Sequence, residues 1–193
     1  MLRKVFFRRR SSRPLLHLRY RWSDVCFRWR TINKGPWIIA LAIGAVASMF
    51  WFVMHSMVSS DRERQDLTCL ALNVYYEARG EPAAGRYAVA EVTMNRVASR
   101  RYPRTVCEVV YQKEWDVLRN RYVSAFSWTE FDSMPHPQGE HWQQAWEAAE
   151  AVYYGRREPR LDGAVLYHAT YIKPSWARGK RPVARIGKHV FYK

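Results

Sequence analysis

The segment Trp37 to Val58, WIIALAIGAVASMFWFVMHSMV, constrains this chain more than any other, because its 22 residues carry no formal charge. In helical form, at about 1.5 Å per residue, such a stretch reaches across the ~30 Å hydrocarbon core of a bilayer. Its one strongly polar residue is His55, and a soluble domain this small seldom buries a helix that is apolar on every face. A cleavable signal peptide has a shorter apolar region nearer the start. The spacing therefore predicts a transmembrane anchor over 35–58, with Gly35-Pro36 punctuating its beginning.

The formal net charge of +15 first suggests a nucleic-acid binder. Its distribution says otherwise. Residues 1–34 hold eleven Lys/Arg against one acid, Asp24, so this arm alone carries +10 and the other 159 residues only +5. The positive-inside rule puts the arm in the cytoplasm and residues 59–193 on the far side of the membrane. Phe6, Phe7, Trp22, Phe27 and Trp29 are interleaved with the basic residues, a composition suited to anionic lipid headgroups. No nucleic-acid partner is expected.

The cysteines agree with this topology. Cys26 falls in the arm, where a free thiol is expected, and Cys69 and Cys107 fall where a disulfide can persist. A bridge between them would close a loop of about 38 residues, worth roughly 3–4 kcal/mol on the chain-entropy account. Two buried thiols fit the same pair of positions.

Residues 59–66 read as a short polar linker and 67–193 as the external domain. Leu67, Leu70, Ala71, Val74, Tyr75 and Ala78 recur with a 3.6-residue period, predicting a helix from about Asp61 to Arg79. Pro82 opens a second helix reaching about Ser99, and Thr105 opens a short segment. Residues 112–139 have no strong period and read as a long, partly helical loop. A third helix is predicted over about Glu140 to Tyr154, burying Trp142, Ala145, Trp146, Ala149, Val152 and Tyr153, with Gly155 as its stop. Ala164–His168 and Val183–Tyr192 are β-branched and aromatic, predicting a two-stranded antiparallel element. The expected class is α+β, mainly helical with a small antiparallel sheet.

Glu77 lies three residues after Val74 and seven after Leu70, so it points along the apolar stripe of its helix. A carboxyl group there either pairs or becomes hard to ionise, and the second outcome suits a general acid working near neutrality. The alternative is a buried ion pair with Arg79, Arg86 or Arg96. Glu81 sits where the second helix begins, in reach of its free N–H groups and dipole. Glu91 reads as solvated. His136, His141, His168 and His189 lack metal-ligand spacing, and neither metal nor cofactor is expected.

The run Glu77-Ala78-Arg79-Gly80-Glu81-Pro82, then Asn95-Arg96-Val97, then Pro103 to Gln112 resembles the SleB-type cell wall hydrolases, which include spore-cortex-lytic enzymes. Ala125-Phe126-Ser127-Trp128 and the closing run GAVLYHATYIKPSWARGKRPVARIGKHVFYK extend the resemblance across 67–193 in the expected order. It implies a lysozyme-like fold, with Glu77 catalytic. It further implies cleavage of the β-1,4 bond between N-acetylmuramic acid and N-acetylglucosamine by lytic transglycosylation, in the space outside a bacterial inner (cytoplasmic) membrane. Gln112, Phe126, Ser127, Tyr167 and His168 fall at motif positions and are expected to line a sugar groove, with Trp128 or Trp176 available for stacking. Arg79, Glu81, Asn95 and Arg96 are expected as structural support, the last two holding the Glu77 helix. Asp132 and Glu130 are the candidates for a second acid. The Cys that many relatives carry before the F-S element, and the Cys-Asp-Gly after it, are absent. Two other readings are a non-catalytic wall-binding or assembly protein and a stem-peptide amidase or peptidase. The latter would demand zinc ligands or a Cys–His pair.

Overall fold

A computed structural model of the chain describes residues 27–30, 33–117, 119–131 and 133–193. Most of the basic arm with Cys26 lies outside the described residues, as does Asp132. The chain divides into two compact units, Met1–His55 and Ser56–Lys193. The described part of the first is dominated by the start of helix α1 (Gly35–Ala78), and the apolar side chains of α1 up to His55 are all exposed. Among the described residues this helix is the one long and apolar enough to cross a membrane.

Within the second unit, burial along α1 begins at Leu67. The stretch 59–66, expected as a linker, is helical along its whole length. SSDRERQD contains no Gly or Pro to break a helix. Helix α2 (Ala83–Ala98) starts after Pro82, whose fixed φ suits that position. It is the central element. Ala88 through Thr93 are buried without interruption, which a helix achieves only when it is covered on both sides. Val89 and Ala90 pack with Leu70, Val74 and Ala78 of α1 and with Ala145, Ala148 and Ala149 of α4 (Gly139–Tyr153). Ala88 and Val92 pack instead with Leu161, Ala164 and Phe191. Small residues on α2 and α4 let the backbones approach closely. The large α4 residues expected in the core, Trp142, Trp146, Val152 and Tyr153, are only half-buried and flank it.

Helix α3 (Val106–Val110) is short and held at its start by a reciprocal capping box between Thr105 and Glu108. The Cys69–Cys107 disulfide ties it to α1, with the two Cα atoms 5.2 Å apart. Beside the bridge, Asp66 accepts a bond from the Cys107 N–H at 3.2 Å. Gly155 has φ +63 and ends α4 with bonds from its own N–H to Val152 and from Arg156 to Ala151.

Two expectations need correction here. Residues 112–139 are not simply loop. They contain a hairpin, β1 (Lys113–Asp116) and β2 (Arg121–Ser124), then a 3-10 turn over Ser127–Glu130. The hairpin strands are four residues each and mostly exposed, so no alternating pattern marks them. The tail forms three strands, not two: β3 (Leu166–Ala169), β4 (Ala184–Ile186) and β5 (His189–Tyr192), with β5 central and both pairings antiparallel. Gly187, at φ +57, turns β4 into β5 inside what reads in sequence as one strand.

Glu81 and Glu91 also differ from expectation. Glu81 is buried, and its Oε2 accepts the Lys188 N–H at 2.9 Å, so it fastens the β4–β5 turn to the start of α2. Glu91 is buried too, not solvated. Its oxygens accept the N–H groups of Arg160 at 2.9 and 3.0 Å and of Leu161 at 2.7 Å. Both carboxylates satisfy backbone donors that no helix or strand partner reaches.

Candidate active site

One turn before Glu77, Asn73 is fully buried on α1. Its Nδ2 donates to Thr93 Oγ1 on α2 at 3.1 Å, and its Oδ1 accepts Trp128 Nε1–H at 3.0 Å. This side-chain network, rather than Asn95 and Arg96, holds the Glu77 helix in place. Asn95 and Arg96 instead secure the segment leading into β3: Asn95 Nδ2 donates to Ala164 O at 3.0 Å and Arg96 Nε to Val165 O at 2.8 Å. Tyr76 Oη donates to Pro135 O at 2.7 Å and ties the 133–138 segment to α1.

Glu77 is half-buried in the wall of a cavity of about 510 Å³ between the end of α1, the Phe126-Ser127 turn and the tail sheet. The Tyr167 hydroxyl donates to its Oε2 at 3.0 Å. Burial pushes the Glu77 carboxyl above its ordinary value, while the Tyr167 bond and the charge of Arg96 pull the other way; the net shift is upward. Tyr167 itself is held well above the usual phenol range by burial and by the facing carboxylate, so it remains a neutral donor. Glu77 forms no ion pair among the described residues, against the alternative of pairing with Arg79, Arg86 or Arg96. Arg79 is exposed, with its guanidinium over the Tyr75 ring at 5.6 Å. Arg86 donates to the Glu81 carbonyl at 2.7 Å.

Of the residues expected to line a groove, Phe126, Ser127, Tyr167 and His168 share this cavity with Glu77. Phe126 is core, 3% exposed and under the Arg96 guanidinium at 5.0 Å, so it supports the wall more than it presents a surface. Gln112 lies in an adjoining cavity of about 660 Å³, which shares Arg96, Ala125, Pro174 and Trp176 with the first. Trp176 is 39% exposed and borders both, whereas Trp128 is 8% exposed and stacked on Tyr76. Trp176, not Trp128, is the aromatic available for stacking.

Glu130 does not line the cavity. Its carboxylate accepts the Ser124 N–H at 3.1 Å and faces Arg121, and these hold its pKa below the ordinary value. Its role is to clasp the hairpin.

His189 was passed over in sequence because it lacks ligand spacing. It is buried in the cavity wall with no partner at Nδ1, and burial lowers its pKa. It belongs to the closing motif run, which was the available signal. No cluster of metal-ligating side chains occurs among the described residues.

A mainly helical domain with a half-buried acid under a small antiparallel sheet defines the class. Residues 80–192 match the family model described as Cell Wall Hydrolase, a range that takes in the described cavity wall except Tyr76 and Glu77. The spore cortex-lytic enzyme of Bacillus subtilis is 30% identical over 129 residues, covering 65% of this chain and 37% of its own length. That of Bacillus cereus is 31% identical over 141 residues, covering 70% and 47%. The chain thus spans less than half the length of these curated relatives. The catalytic domain of the Bacillus cereus SleB protein superposes with a TM-score of 0.51 at 27% identity, over 67% of this chain and 91% of that one. The catalytic domain of the germination-specific lytic transglycosylase SleB from Bacillus anthracis gives 0.50 at 27%, over 66% and 93%. The chain belongs to the cell wall hydrolase family.

Proposed function

We propose that this protein is a membrane-anchored peptidoglycan-cleaving enzyme that cuts the β-1,4 bond between N-acetylmuramic acid and N-acetylglucosamine by lytic transglycosylation, with Glu77 as its acid and base. One observation carries the reading. Among the described residues, Glu77 is the sole carboxyl group lining its cavity, and its pKa is raised. Paired-acid glycosidases need a second carboxylate across the scissile bond. A transglycosylase does not.

Tyr167 occupies Oε2, so Oε1 is the atom free to hold and deliver the proton. Protonated Glu77 gives it to the glycosidic oxygen as the C1–O bond breaks. The resulting carboxylate, steadied by Tyr167 and the Arg96 charge, takes a proton from the muramic 6-hydroxyl. That oxygen closes on C1 and leaves a 1,6-anhydro sugar, and Glu77 is again protonated. The name of the Bacillus anthracis relative, a lytic transglycosylase, supports the same route.

The test is mass spectrometry of peptidoglycan digested by the full chain in detergent, beside Glu77→Gln. Anhydro-muropeptides from the parent alone are expected, with activity reduced at least about 100-fold in the variant. Reducing-end muropeptides would replace transglycosylation with hydrolysis.

The exposed apolar start of α1 and the basic arm before it support an anchor in a bacterial inner membrane, arm inward and domain outward. Carbonate-resistant sedimentation with membranes, lost on deleting residues 35–58, is expected; a full chain that washes off in carbonate refutes the anchor.

A further inference from the structure

Charge is spread unevenly along the part of the chain that follows the apolar segment. Residues 59–162 carry fourteen Lys/Arg against sixteen Asp/Glu, whereas residues 163–193 carry seven Lys/Arg and no acid. The positive excess of 59–193 therefore belongs entirely to its last 31 residues. One of the seven, Lys193, is paired with Asp162 at 2.7 Å. The other six, Lys173, Arg178, Lys180, Arg181, Arg185 and Lys188, are exposed, and among the described residues none of them forms an ion pair. Like charges gathered in this way repel one another and disfavour the folded state unless an anion meets them.

The place of the patch is as informative as its sign. Lys173, Arg178, Lys180 and Arg181 stand on the segment between β3 and β4, which also gives the Glu77 cavity Tyr171, Ile172, Pro174 and Trp176. A 3-10 turn over Ser175–Ala177 and Gly179, at φ +75, fix the path of that segment. Lys180 Nζ lies 5.8 Å from the centre of the Trp176 ring. The Lys188 carbonyl accepts the Thr170 N–H at 2.7 Å, which brings the β4–β5 turn against the same segment. None of the six cations lines the cavity; they surround residues that do.

We propose that this cationic rim binds the carboxylates of peptide stems carried by the glycan, so that strands bearing acidic stems are the preferred substrate. The inference rests on the glycan-cleaving reading above. Stems branch sideways from the muramic residues, so their carboxylates fall outside the cavity that takes the sugars, where the cations stand. Arginine meets a carboxylate through two parallel N–H bonds, and three of the six cations are arginines. A single exposed pair contributes little, so the preference depends on several cations meeting more than one carboxylate at once.

The experiment measures equilibrium binding by calorimetry on the full chain in nonionic detergent carrying Glu77→Gln. The probes are a muramyl tetrasaccharide bearing acidic peptide stems and the same compound with its stem carboxyls converted to amides. The acidic compound is expected to bind at least about tenfold tighter at ~0.05 M salt, and within about threefold of the other at ~0.5 M, as screening shortens the reach of exposed charges. Replacing Lys173, Arg178, Lys180 and Arg181 together by Gln should abolish most of the low-salt preference. Affinity for the amidated compound should stay within about twofold of the parent's, and the thermal midpoint should not move, because these side chains are exposed and unpaired. Equal binding of both compounds by the parent would overturn the assignment, as would a preference that survives the fourfold replacement. With Glu77 intact, equal cleavage rates on the two kinds of strand at low salt would sink the stem reading and leave the cleavage reading standing. Charge discrimination without any cleaved product would do the reverse.

Discussion

At the scale of single residues, the acidity of Glu77 is a balance between burial, which favours the neutral acid, and Tyr167 and Arg96, which favour the carboxylate. A bond donated to the charged form lowers a carboxyl pKa, so removing it raises the pKa. Tyr167→Phe should therefore move the alkaline limb of kcat/KM to higher pH. The rate near neutrality should also fall roughly tenfold, as the carboxyl loses its orienting bond. A pH–rate profile checks this, and a limb that stays in place would mean that the hydroxyl does not set the acidity.

At the scale of elements, the β4–β5 turn is fastened to the start of α2 by one contact between Glu81 and the Lys188 N–H. Gly187 makes that contact possible. Its φ is +57, and a Cβ there would overlap Oε2 of Glu81. Gly187→Ala combines a disfavoured backbone conformation with displacement of a buried carboxylate, and is expected to destabilise by roughly 2–4 kcal/mol. Urea denaturation measures the loss. Because His189 follows two residues later in the cavity wall, activity of the folded fraction should fall as well. A variant with the parent's midpoint would show that the turn tolerates another path.

For the whole molecule, the question is what keeps α1, α3 and the hairpin in register around the cavity. The Ser56–Lys193 unit relies on a central helix covered on both sides and on a disulfide spanning 38 residues. Replacing both Cys69 and Cys107 by Ser should cost about 3–4 kcal/mol, seen as a lower urea midpoint with a somewhat steeper slope, since the unbridged unfolded chain is less compact. If the doubly substituted chain melts like the parent, the Asp66 bond and the capping box of α3 suffice to hold that helix.

The local patterns were enough to place α1 after residue 61, α2 and α4, while the short α3 was legible only as a segment opened by Thr105. The three longer helices show an apolar periodicity bounded by Pro or Gly, and helix formation is governed by neighbours in sequence. The same periodicity aimed Glu77 along an apolar stripe, and the motif run joined it to Tyr167 and His168. What local patterns could not decide depended on partners 20 to 107 positions apart, such as Asn73 with Thr93 and Glu81 with Lys188. A buried carboxylate with a backbone partner reads in sequence like a solvated one, which is why Glu91 was misassigned; Glu81 was expected to meet backbone N–H groups at the start of its own helix, and meets that of Lys188 instead. Exposed strands of four residues bury too little to leave an alternating signature, so the hairpin went unseen. The choice between Trp128 and Trp176, the entry of His189 and Arg96 into the wall, and the second cavity all follow from which surfaces meet, and only the tertiary packing around α2 decides that.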